Sequence, residues 1–210
     1  MDDVRLSFIA AAAVARDVIS KPEVAASWEQ PSALRKLSVR GVAGHLARAV
    51  FTVRTYLDAP PPEGAPALTA AAYLATVLAD DDLDSEFNTA VRRRGEEEAA
   101  AGRDPLLARL DEALALLIDQ LPIELASRTM RVIGDRPILL DEYLRTRLVE
   151  MTLHIDDLCV SVGIATPDIP GSDTAIRTLV DVARLRHGDV AVLRALARRE
   201  RDPESRLRVF

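Results

Sequence analysis

The chain has 210 residues, a formal net charge of −6, 49% hydrophobic and 29% charged residues, and 4% aromatics. That length is enough for one generous domain with its own core, and the alanine- and leucine-rich composition argues against a disordered or all-β protein. No apolar run reaches the ~18 residues of a membrane span, the acidic balance disfavours a nucleic-acid partner, and a lone cysteine excludes an internal disulfide or a thiolate-rich zinc cluster.

Residues 3–20 place Leu6, Ile9, Ala13 and Ile19 at near-helical spacing, and "SKPE" ends this first helix. Acids lead it, and Arg16 and Asp17 break its apolar stretch, so it reads as a helix of a cytoplasmic protein and not as a signal peptide. An irregular link, "VAASWEQPSALRKL", follows, with Trp28 as its apolar anchor. Ser38 then caps a second helix whose stripe of Val39, Val42, Leu46, Val50, Val53 and Leu57 marks a buried face. The tract "APPPEGAP" stops it.

Thr69 caps a third helical region reaching about Ala101, interrupted near "ADDDLDS", where successive aspartates repel. "VRRRG", followed at once by "EEE", reads as a solvated helix surface. Asp104 as N-cap and Pro105 at the first helical position open the next amphipathic helix, which Pro122 limits. "RTMRVIGDRPILL" reads as short extended structure with a turn at Gly134 and Asp135. Asp141 caps a long helix that Gly163 closes. After the loop "IATPDIPGSD" come helical "TAIRTLVDVARLR" and "DVAVLRALARRE", then a mildly β-like "RLRVF". Helices joined by short to medium loops predict a helix bundle.

Bundles build sites from side chains on facing helices, and only three histidines are available here. His187, just before Gly188, suits a helix C-terminus, and Cys159 suits packing. His45 lies beside the apolar stripe of the second helix, on a line with Ala49, Thr52 and Tyr56. On the later helix, "RLVEMTLHIDDL" sets Glu150 and His154 about 40° apart around the axis. If the two helices pack side by side, His45, Glu150 and His154 converge as two imidazoles and a carboxylate, the ligand set of a catalytic zinc site with an open position. The same donors suit iron, nickel or manganese. The competing reading is a pair of local helix ion pairs, Arg147 with Glu150 and His154 with Asp157.

Two motifs carry a family resemblance. The stretch "W-x-x-P-S-A-L-x-x-L-S-V-R-G-V-A-G-H-L-A", Trp28 to Ala47, and the stretch "R-T-R-L-V-E-M-T-L-H-I-D-D-L", Arg145 to Leu158, resemble the N-terminal domain of the mycothiol-dependent maleylpyruvate isomerases. Those proteins are DinB-like metal-binding four-helix bundles. The resemblance implies a mainly α bundle over residues 1–165 with a C-terminal helical extension, 166–210, packed on it. It also implies a divalent metal, usually zinc, on His45, Glu150 and His154. Mycothiol, the thiol of actinobacteria, would be the co-substrate, and a small electrophile the other partner, with neither nucleic acid nor membrane involved and a homodimer allowed.

Within this resemblance Arg147 is the candidate clamp for an anionic substrate, with Arg145 and Arg131 as more remote choices. Asp157 is the candidate to orient His154. Asp156 stands where the family pattern has an aromatic residue, and the isomerases' later α/β domain is reduced here to a helical tail. The function expected is therefore a metal-dependent thiol isomerase or S-transferase. A non-catalytic metal-binding interaction module is the alternative. A hydrolase is disfavoured because the sequence offers no unassigned histidine as general base.

Overall fold

Four long helices carry the fold in the computed structural model, which describes residues 4–60, 67–78, 82 and 84–197. They are α1 (Val4–Ser20), α3 (Val39–Leu57), α6 (Arg103–Gln120) and α7 (Leu140–Val162). Each of α1 and α3 packs against both α6 and α7, which closes a four-helix bundle. Their inward faces hold Phe8, Ile19, Leu46, Leu110, Leu117 and Leu144, all essentially without solvent contact. The protein is thus mainly α, a helical bundle with helices at its C-terminal end. Among the described residues no helix is long and apolar enough to cross a membrane.

Shorter elements fill in around this frame. A one-turn α2 (Pro22–Ala26) follows α1, so the link expected to be irregular starts as helix and becomes irregular only from Ser27. Pro22 stands at the first helical position, where its missing amide costs nothing. Ser38 Oγ accepts from the Gly41 amide at 2.9 Å and Thr69 Oγ1 from the Ala72 amide at 3.2 Å, as their sequence positions suggest. The third helical region divides into α4 (Ala70–Val77) and α5 (Glu86–Glu98), the latter capped by Ser85. Most of the expected interruption between them, most of "APPPEGAP" and all of "RLRVF" lie outside the described residues.

Two expected caps are displaced. Helix α6 begins at Arg103, with Gly102 as its N-cap at φ 104°, and Asp104 and Pro105 fall inside the first turn. Glycine alone takes that φ without strain, and the Leu106 amide closes the turn onto the Gly102 carbonyl at 3.2 Å. At α7 the cap position belongs to Leu139 and not Asp141. The hairpin of β1 (Thr129–Val132) and β2 (Arg136–Leu139) runs straight into the helix, and the Arg128 carbonyl accepts the Leu140 amide at 2.8 Å. Asp141 is released for the Arg5 guanidinium, whose Nε donates to it at 2.7 Å while Nη1 donates to the Leu121 and Glu124 carbonyls. One arginine thereby ties the start of α1 to the end of α6 and the start of α7.

The hairpin turns through Gly134 and Asp135, both at positive φ. Gly163 ends α7 in the left-handed region at φ 72°. Helix α8 (Ser172–His187) packs on α4 and α7, burying Ala175 and Val182 in the common core, and α9 (Asp189–Ala197) leads away from its end. His187 is the last residue of α8, exposed and remote from the other two histidines, and Cys159 is buried in the core. Trp28 packs half-buried against that core, and its carbonyl accepts the Arg40 amide at 2.9 Å.

The contact of α3 with α5 is made by backbone. A Cβ on Gly95 would lie 2.7 Å from the Gly41 carbonyl oxygen and 3.2 Å from the His45 Cβ, and one on Gly44 would overlap the Gly95 carbonyl. Next to it, Glu96 accepts from the Ser38 hydroxyl at 2.7 Å and from Arg40 Nε at 3.0 Å. Burial raises the Glu96 carboxyl, but the Ser38 and Arg40 hydrogen bonds outweigh it and hold the group below its ordinary 4.5.

Gly95→Ala is expected to destabilise the fold by about 1–3 kcal/mol despite alanine's better helix propensity, as read by urea unfolding; an unchanged or raised midpoint would show that α5 can move off α3. A depressed carboxylate adds stability that is complete above about 4.5 and disappears as pH falls through its folded value. Glu96→Gln should therefore cost about 1–3 kcal/mol near neutrality and progressively less under acid, so equal losses at both ends of a pH series of melts would contradict this role.

Candidate metal centre

Helices α3 and α7 pack side by side, and their contact brings His45 against Glu150 and His154. On α7 the two residues are one turn apart, as the four-residue spacing requires. Glu150 Oε2 lies 3.3 Å from His45 Nε2 and 3.3 Å from His154 Nε2. The rings meet edge to face, with centroids 4.6 Å apart. One donor atom from each of the three side chains lies within 4.8 Å of the other two.

These separations fit a cation. Metal–nitrogen and metal–oxygen bonds of about 2.0–2.2 Å at tetrahedral angles put neighbouring donors about 3.3 Å apart, which is the separation of each imidazole nitrogen from the carboxylate oxygen. His45, Glu150 and His154 are only 20%, 15% and 13% exposed, so water does little to screen them. The group can hold a divalent ion with three protein donors and a position left for a further ligand.

Electrostatics around the triad set what a cation would have to displace. Burial pushes His45 below its ordinary value, and a neighbouring His154 charge lowers it further. Burial alone would raise the Glu150 carboxyl, but hydrogen bonds from His154 and His45, with Arg147 nearby, hold it well below its normal range. For His154, burial lowers the value and the Asp157 and Glu150 contacts raise it, to about 9. Near neutrality the trio therefore combines an anionic carboxylate with a neutral and a protonated imidazole. Displacing that one proton leaves the donor set a divalent cation needs.

Asp157 and Arg147 both flank the trio. His154 Nδ1 faces Asp157 Oδ2 at 2.9 Å and donates there, which orients the ring so that Nε2 points to Glu150. Arg147 Nη2 lies 3.8 Å from Glu150 Oε1, and its guanidinium sits 4.7 Å over the Tyr143 ring. Both local helix pairs foreseen as an alternative to a ligand set are thus present together with the convergence on His45. Arg145 instead pairs with Glu142 at 3.3 Å in a separate groove, and Arg131 pairs with Asp135 within the hairpin. Neither reaches the trio. Asp156 is exposed and accepts from the Thr166 hydroxyl at 2.6 Å, pinning the chain after α7.

The trio lines a cavity of about 610 Å³ between α3, α4, α5 and α7. A tyrosine cluster forms part of its wall. Tyr143 is buried, its hydroxyl donates to Thr52 Oγ1 at 2.9 Å, and Thr52 in turn donates to the Arg48 carbonyl at 2.8 Å. Tyr56 and Tyr73 pack edge-on to the Tyr143 ring at 5.5 and 6.4 Å. Burial raises the Tyr143 phenol far above its usual range and keeps it a neutral donor.

Sequence reasoning had Thr52 and Tyr56 on the His45 line but missed Tyr143. Its position seven residues before Glu150, two turns along the same face, was the available signal. Tyr73, on another helix, had none.

Asp157→Ala is expected to weaken zinc binding about 10–100-fold while leaving helicity unchanged. Competition with a chromogenic chelator measures this, and an unaltered affinity would remove Asp157 from the site.

Comparison with known proteins adds one positive finding. The family model described as "Mycothiol maleylpyruvate isomerase N-terminal domain" matches residues 8–159. No curated protein and no solved structure matches the chain.

Proposed function

The chain belongs to the mycothiol maleylpyruvate isomerase N-terminal domain family, and from that membership and the geometry of the trio we propose that it is a divalent-metal-dependent thiol enzyme. His45, Glu150 and His154 are the ligands in this reading, with zinc the favoured ion and nickel, iron or manganese chemically admissible. The thiol is mycothiol, and the reaction is an isomerisation or S-transfer on a small electrophile in the cytoplasm. In this reading the described part of residues 1–165 is the catalytic bundle, and α8, packed on α4 and α7, opens the C-terminal extension. The observation that carries the reading is the pair of 3.3 Å separations about Glu150 Oε2, open to a cavity of ligand size.

The residues of the chain divide the work as follows. When bound, the cation supplies positive charge that favours thiolate over thiol, making sulfur nucleophilic at neutral pH. Glu150 contributes the one negative charge among the ligands and limits the net charge of the centre. Asp157 holds His154 in the orientation that offers Nε2. Arg147, braced over Tyr143, is placed to meet an anionic group of the substrate. The tyrosine wall keeps bulk water from that side of the trio. Thiolate addition to a cis double bond, rotation and expulsion would isomerise the substrate, and displacement of a leaving group would transfer the sulfur.

The wild-type protein should retain about one equivalent of divalent metal per chain on gentle purification, and His45→Ala and Glu150→Ala should lose it, as elemental analysis would show. With mycothiol and a panel of model electrophiles, only metal-loaded wild type should accelerate thiol consumption or, for cis alkenes, cis–trans conversion at constant thiol. Metal retained unchanged by both variants refutes the ligand assignment. A loaded protein inert toward every electrophile tried would favour a non-catalytic metal-binding module.

A further inference from the structure

Resting on that reading of the centre, we propose that the molecule bound beside it is an organic acid with an extended apolar body, aryl or medium-chain alkyl, and not a small dicarboxylate. Much of the cavity wall away from the trio is hydrocarbon. Leu37 from the link, Val77 and Leu78 at the end of α4, Phe87 and Val91 on α5 and Ile133 in the hairpin turn all face it. Phe87 and Ile133 are 37% and 38% exposed, large apolar side chains left in contact with water. Cover for such surface is what an apolar ligand provides. A dicarboxylate of a few carbons has no hydrocarbon with which to cover that wall, whatever else the cavity holds.

The charge on the lining supplies the second half of the argument. Among the described residues, Arg35, Arg48, Arg92, Arg94 and Arg147 line the cavity with Glu150 and Asp157 as its acids, and Asp84 acts on Arg35 and Arg92 from nearby. Glu150 and Asp157 are both engaged by histidine. Arg48 is committed to Glu98 at 3.1 Å, and Arg147 lies between Glu150 and the Tyr143 ring. The described lining thus carries more positive than negative side chains, which suits an acid head group on the ligand. Because the apolar residues come from α4, α5 and the hairpin, and the trio from α3 and α7, the ligand's body and its reacting end are held by different elements.

Calorimetric titration of the full chain with butanoate, hexanoate and octanoate, and with succinate as the small dicarboxylate, tests this. Affinity is expected to rise about fourfold per added methylene, and octanoate should bind more tightly than succinate. Phe87→Ala and Val91→Asp should flatten the series without changing metal content, and the exposed position of Phe87 makes the first variant safe for folding. A flat series in wild type, or succinate binding as tightly as octanoate, overturns the proposal. Running the series on metal-free protein as well separates the two readings. A slope that persists while the trio proves unable to hold metal keeps the apolar ligand and removes the metal enzyme, whereas full metal loading with no slope does the reverse.

Discussion

The Glu150 carboxylate is an anion with 15% of its side chain exposed, set between two helices. Removing a carboxylate from water costs several kcal/mol unless opposite charge and hydrogen bonds replace the solvent. His154 supplies one such contact from its own helix. The others are His45, across the interface on α3, and Arg147, one turn back. The packing of α3 on α7 is therefore held to the register at which His45 meets Glu150, a demand that apolar packing alone would not impose. The same register brings one donor atom of each of the three side chains within 4.8 Å of the others, close enough to hold a metal ion.

Helix α5 then determines how His45 is presented. Gly44 and Gly95 let the α3 and α5 backbones touch beside the His45 Cβ. Just beyond, Glu98 of α5 binds Arg48 of α3 and Arg109 of α6, and the Arg109 guanidinium covers Phe51 at 4.7 Å. The α3–α5 contact is thus backbone at the level of His45 and charged one turn later. On the other side of α3, the tyrosines hold α4 and α7 at aromatic distance. The space left between these supports is the cavity, whose lining changes from polar at the trio to hydrocarbon at α4 and α5.

The long helices were readable because their apolar positions recur at helical spacing, and the Ser38 and Thr69 caps of α3 and α4 because they obey local hydrogen-bond rules. The hairpin was legible from its Gly-Asp turn. Caps at Asp104 and Asp141 were misplaced because each helix begins earlier than a cap rule puts it: α6 starts from Gly102 with no side-chain cap, and at α7 the Arg128 carbonyl already satisfies the Leu140 amide. Such satisfaction comes from neighbours that a cap rule does not see. Asp156, the departure from the family pattern, meets Thr166 on the outside of α7, so the cavity is not altered by it.

Periodicity by itself determined which residues could face a partner helix. It put Glu150 and His154 on one line and His45 beside an apolar stripe, because side-chain direction on a helix follows from residue number alone. It left open whether those lines were ion-paired surface or ligands, since both arrangements use the same spacing. Only the tertiary structure showed that the two lines meet, by bringing His45 to 3.3 Å from a carboxylate about a hundred residues away in sequence. The cavity was likewise beyond the sequence. Its walls come from four helices and a hairpin turn, and the distances between them depend on packing, glycine contacts and buried charge acting together.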